Sequence, residues 1–177
     1  AMFRHKINKQ TEQLTQLINA LYRYKAEWKA NIGDLIPYYE ALGEIPQEML
    51  VNKSVSASGN SVIYDVFNSP VKIGTGGVYA FGHEVAISWE VSNNHSFDVC
   101  LNIANVVKQF HEHLLYTAIT KTTADSSSTQ FDTKYFGDKY CQNYTCISKL
   151  TMNNISKQCE YCKDSQACTY IIAFITD

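Results

Sequence analysis

Apolar residues open the chain at Phe3, Ile7, Leu14, Leu17, Leu21, Tyr24 and Trp28, the spacing of successive turns along one side of a helix. Between them fall Lys6, Lys9, Gln10, Glu12, Gln13, Gln16, Arg23, Lys25, Glu27 and Lys29, so the opposite side is expected to be solvated or to meet something polar. A helix over residues 2–30 would be roughly 40 Å long at ~1.5 Å per residue, more than a small domain's diameter. It is expected to act as a spine whose apolar side the rest of the chain covers. The pattern fails at Asn31-Ile32-Gly33, a helix stop signal. Residues 31–61 then read as a long connection with small helices of its own. Asp34 can cap the first of these, with Pro37 in its opening turn and Gly43 at its end. A further helical turn follows over Ile45–Leu50, and residues 52–60 read as loop.

The period then changes. Val62–Phe67, Val71–Ile73, Val78–Phe81 and Val85–Val91 carry strand signals, broken at Asn68-Ser69-Pro70, at Gly74-Thr75-Gly76-Gly77 and around Gly82-His83. They predict an antiparallel meander over residues 62–91 with one face available to the spine. Ser96 and Asp98 open a second amphipathic helix over residues 96–116. Its buried face is predicted as Val99, Ile103, Val106, Phe110 and Leu114, with Cys100, Val107 and His111 along the edge. The polar run Thr120–Gln130 is expected to be an exposed loop. Residues 169–176 are mostly apolar and β-branched, which predicts a strand buried on both faces in the middle of a sheet. The expected class is α+β, in one domain over residues 1–177.

Composition narrows the partners. Formal net charge is −2, and no run of Lys/Arg is interleaved with aromatics, so neither nucleic acid nor an anionic membrane surface is an expected partner. No apolar run approaches the ~18 residues of a spanning helix. Ala1-Met2 reads as a cloning remnant before an internal start, so a natural segment is expected to precede Phe3. The six cysteines, Cys100, Cys141, Cys146, Cys159, Cys162 and Cys168, crowd the C-terminal half. Pairs made in an oxidising compartment, periplasmic or extracellular, account for all six. A four-thiolate zinc site, Cys-x4-Cys with Cys-x2-Cys, is the alternative, and it leaves Cys100 and Cys168 as free thiols.

Candidate chemistry is sparse. His111-Glu112-His113 invites a metal, but residues two apart on a helix point to different sides. His83, Glu84 and His95 fall at element ends and read as solvated, and no basic group lies within a helical turn of Cys100 that could activate it. The carboxylates form neither a shared apolar pair nor a calcium-loop spacing. Gly74–Gly77 is a turn, since no Gly-Lys-Ser/Thr follows it. No enzyme activity, cofactor or metal is expected.

The order of parts resembles the type IV pilins, and within them the type IVb branch of toxin-coregulated and longus kinds. Tyr38–Glu48, with Leu42-Gly43-Glu44-Ile45, looks like that branch's loop segment after the helix, and Asn68-Ser69-Pro70-Val71 resembles its approach to the sheet. Phe97-Asp98-Val99-Cys100 looks like the helix that begins at the family's first cysteine, and Leu150–Cys159 resembles the stretch leading to the second. The likeness is architectural over nearly the whole chain and weak in identity. The family's apolar N-terminal segment with its early Glu is not in this sequence, and four cysteines exceed the usual two. The resemblance implies a Cys100–Cys159 disulfide within a cysteine-rich region at residues 100–168, with Cys141–Cys146 and Cys162–Cys168 as local loops. It further implies a structural subunit of an extracellular filament, held in the inner membrane before assembly. Its partners would be other pilin subunits, the assembly machinery and a host-surface receptor. A minor pilin or pseudopilin, and a secreted disulfide-rich binding module, are the alternatives.

Overall fold

A computed structural model describes residues 2–30, 33–76, 84–91, 95–122, 129–131, 134–165 and 168–175. The expected Val78–Phe81 strand, Gly77, Gly82, His83, Asn31, Ile32, Thr176 and the centre of the Thr120–Gln130 run lie outside the described residues.

Helix α1 spans Met2–Arg23 and passes into a tighter 3-10 segment at Lys25–Ala30, so the continuous α-helix ends earlier than the apolar period suggests. Side-chain contacts anchor the 3-10 segment. Trp28 Nε1 donates to the Tyr39 hydroxyl at 2.9 Å, and its ring meets Phe174 edge-on at 5.9 Å. Helices α2 (Ile36–Ala41) and α3 (Gln47–Leu50) follow in the connection. Asp34 sits one place before the α2 cap position. Its carboxylate accepts from Ile36 N and from Ser61 N, joining the start of α2 to the start of a strand.

Among the described residues the sheet has eight strands: β1 (Ser54–Val55), β2 (Ser61–Tyr64), β3 (Pro70–Thr75), β4 (Val85–Val91), β5 (Leu114–Thr122), β6 (Thr129–Phe131), β7 (Tyr135–Phe136) and β8 (Cys168–Phe174). Their order is β1-β2-β3-β4-β8-β5-β6, with β7 also paired to β5, and every named pairing is antiparallel. Strand β8, the last in sequence, lies between β4 and β5, with Ile172 opposite Ile87 on one side and Thr117 on the other. Tyr170, Ile172 and Phe174 join the main core, while Ile171 and Ala173 join a smaller cluster with Ala86, Tyr116 and Ala118. Burial on both faces is why this strand carries no polar alternation.

Helix α4 spans Ser96–Lys108 and stops eight residues before the expected Tyr116 end. A 3-10 turn at His111–His113 leads directly into β5, so Leu114 is buried as a strand residue and Phe110 is only half-buried. The spacing of Phe110 and Leu114 mimicked a further helical turn, while the β-branched Thr117, Ile119, Thr120 and Thr122 carried the strand. Strand β5 also claims Thr120–Thr122 from the expected polar loop, and Thr120 is buried. Helix α5 (Met152–Cys159) is capped by Thr151, whose hydroxyl accepts from Asn154 N while the Asn154 side chain accepts from Thr151 N.

The main core joins Leu14, Leu17, Ile18 and Leu21 of α1, Val99, Ile103 and Val107 of α4, and Ile63, Ile73, Ile87 and Trp89 of the sheet. Truncating the fully buried Ile172 to Ala should cost about 2–5 kcal/mol of unfolding free energy, read from urea denaturation midpoints.

Candidate functional site: the clasp on the N-terminal helix

Of the spine residues singled out by their spacing, Leu14, Leu17, Leu21 and Trp28 are buried, and Phe3, Ile7 and Tyr24 are half-buried. Ile18 and Ala20 are buried as well, which widens the apolar side. The first two turns contribute least to the core. Met2 is 78% exposed, Arg4, His5, Lys6 and Asn8 are exposed, and Phe3 rests against the rings of Phe67 and His95.

The middle of the helix is held by polar groups. Gln10 and Gln13, which a simple amphipathic reading places on the wet side, are completely or almost completely buried. Their partner is the turn between β2 and β3. Asp65 Oδ1 accepts from Phe67 N and Ser69 N, both at 2.8 Å, an arrangement that Asn68 permits by adopting φ 61°. Asp65 Oδ2 accepts from Gln10 Nε2 at 2.9 Å and from Trp89 Nε1 at 2.8 Å. One carboxylate thus ties together α1, β4 and its own turn. Burial holds the Asp65 pKa above the ordinary carboxylate value, against the pull of Gln10, Ser69, Trp89 and Phe67.

The rest of the clasp extends from this point. Gln13 Oε1 accepts from Val66 N at 3.1 Å, and Gln13 Nε2 reaches Glu48 Oε1 at 3.4 Å. Gln10 Oε1 accepts from Asn102 Nδ2 at 2.9 Å, which links α1 to α4. Lys9 stands 3.1 Å from Glu48. Around these groups opens a cleft of about 570 Å³ between α1, α3 and the β2–β3 turn, lined by His5, Asn8, Glu12 and Val66 among others. At the far end, the Tyr39 hydroxyl accepts from Trp28 Nε1 and donates toward Leu21 O, 3.5 Å away. Burial pushes the Tyr39 pKa up to about 12. Arg23 and Tyr24 both bond Glu44.

The cysteine-rich region lies on the other side of α4. The sulfurs of Cys100 and Cys159 are bonded, joining α4 to α5 across a sequence separation of 59. Cys162–Cys168 closes the 3-10 segment Glu160–Ser165 onto the start of β8, and Cys141–Cys146 closes a short loop after β7. Ser96 at the start of α4 donates to the Cys162 carbonyl, so the two staples share one patch of structure. With all six sulfurs in such pairs, no cysteine is left for a thiolate zinc site. Cys100, being disulfide-bonded, offers no thiol for activation, and His111 bonds Asp138 instead. His95 is exposed, as the solvated reading expects, and one face of its ring rests on Phe3. Among the described residues no helix is long and apolar enough to cross a membrane.

No family model matches the chain, and no curated protein matches it. Among solved structures, the crystal structure of a type IVb pilin from Salmonella typhi superposes over 96% of this chain and 97% of that one, with a TM-score of 0.50 and 8% sequence identity. The fold is therefore type IVb pilin-like: a long N-terminal helix on an antiparallel sheet, with further helices and a disulfide-bounded C-terminal region.

Two outcomes test the clasp and the staples. Asp65→Asn removes an acceptor from the paired donors Gln10 and Trp89 and should cost about 1–3 kcal/mol. Because the folded Asp65 pKa is raised, its stabilising contribution is full below the ordinary carboxylate value of 3.8 and is lost as pH rises through the folded value. The wild-type advantage over Asp65→Asn should therefore widen as pH falls from about 7 toward 4, measured by urea unfolding at each pH. Replacing Cys100 and Cys159 together by Ala should cost about 4 kcal/mol in the chain-entropy model, and thiol titration of the unreduced wild type should find no reactive sulfur.

Proposed function

We propose that the chain is the globular part of a type IVb pilus subunit, which assembles with copies or relatives of itself into an extracellular filament for adhesion, aggregation or secretion. The observation that carries this reading is the end-to-end likeness of the fold to a type IVb pilin, despite minimal identity. The placing of α1 supports it. Its middle and C-terminal turns are clasped to the sheet, while its first two turns stand mostly exposed, carrying the half-buried Phe3 and Ile7.

On this reading an apolar continuation of α1 upstream of Met2 anchors the subunit in the inner membrane, where the assembly machinery meets it, and later lies in the filament core. Burial of that apolar helix against its copies supplies the driving force. One heterologous contact repeated with a rotation and a rise builds an open helical fibre rather than a closed ring. The disulfide region would face outward, toward sister fibres or a host-surface receptor. No catalytic step is part of the reading.

Immunogold microscopy of cells expressing the natural gene, with antibody to this chain, should label filaments along their length. Label confined to filament ends or scarce points along them would indicate a minor pilin. Release of the protein as an unassembled monomer, with no labelled filaments, would indicate a secreted binding module and defeat the proposal.

A further inference from the structure

The close spacing of His111-Glu112-His113 argues against a metal held by both histidines, and their side chains do diverge: the His113 ring stacks on Tyr22, with centroids 3.7 Å apart. A residue far along the chain changes the picture at His111. Asp138 Oδ2 lies 2.7 Å from His111 Nδ1, and donor atoms of His111, Glu112 and Asp138 all fall within 4.8 Å of one another. His111 is half-buried, and the two carboxylates are exposed.

We propose that His111, Glu112 and Asp138 form a binding site for a divalent transition-metal ion, best matched by zinc. An imidazole nitrogen with two carboxylates suits zinc, whereas calcium and magnesium favour sets made of oxygen alone. Tetrahedral zinc with ligands at ~2.0–2.1 Å needs neighbouring donors roughly 3.3 Å apart. The 2.7 Å His111–Asp138 contact therefore has to open slightly and the Glu112 carboxylate to swing inward, changes that exposed side chains make without backbone movement. The fourth position is open to water.

The backbone holds these residues together from both directions. His113 N donates to Phe110 O at 2.9 Å, closing the turn that carries His111 and Glu112. Gly137 N donates to Leu115 O at 3.0 Å, and Tyr140 N donates to Gly137 O at 2.9 Å, fixing the turn that carries Asp138. A Cβ on Gly137 would fall 1.7 Å from the Leu114 carbonyl oxygen and 3.1 Å from that of His111. Glycine is what lets the Asp138 turn press against the His111 backbone. The Cys141–Cys146 disulfide stiffens the chain just beyond it.

Zinc chloride titrated by calorimetry into the disulfide-intact protein, stripped beforehand with chelator, tests the assignment. One zinc per chain should bind, and His111→Ala and Asp138→Asn should each weaken it at least about tenfold while the circular dichroism spectrum stays unchanged. His5→Ala should bind as the wild type does. Zinc should also shift the His111 imidazole signals in the NMR spectrum of the wild type, a readout that needs no variant. Absence of binding, equal affinity in the wild type and both variants, unmoved His111 signals, or a preference for calcium would each overturn the proposal.

Discussion

A carboxylate can be buried without a cation only where its lone pairs are otherwise occupied, and Asp65 meets that condition with donors from its own turn, from α1 and from β4. The rest of the helix–sheet packing depends on this arrangement. Hydrophobic contact alone would let α1 slide or rotate against a smooth sheet, because apolar burial is not directional. A hydrogen bond from Gln10 to a fixed oxygen specifies one axial position and one rotation. Leu14, Leu17, Ile18 and Leu21 then meet the core from that setting, and Phe3 and Ile7 lie toward its rim.

Much of this was legible in the sequence, and the misses have physical causes. The 3.6-residue period marked α1 and most of its buried side, and the continuous apolar run of β8 announced a strand covered on both faces. The buried glutamines were invisible, since nothing local to Gln10 or Gln13 shows that a carboxylate 55 residues away from Gln10 awaits it. The end of α4 was misplaced because two large apolar residues happened to continue its period across the turn at His111–His113. The β-branched residues of β5 were the signal to weigh against that coincidence.

The same limit applies to the chemistry. Short-range spacing could weigh His111 only against His113, as residues of one helix. It could not bring in Asp138, which reaches His111 because β7 pairs with β5 and the chain then turns back on itself at Gly137. Disulfide connectivity has this character too. Fifteen pairings exist for six cysteines, and composition does not choose among them.

Strand β8 bears on the order in which the molecule can be made. β4 and β5 are not partners of each other; each pairs with β8. Until residues 168–174 are in place, the two halves of the sheet have no shared seam, and each exposes an edge of unpaired backbone. Completion of the sheet therefore waits for β8, whose pairing with the distant β4 closes a long loop and slows closure. Strand β8 works as a keystone, bearing on both sides.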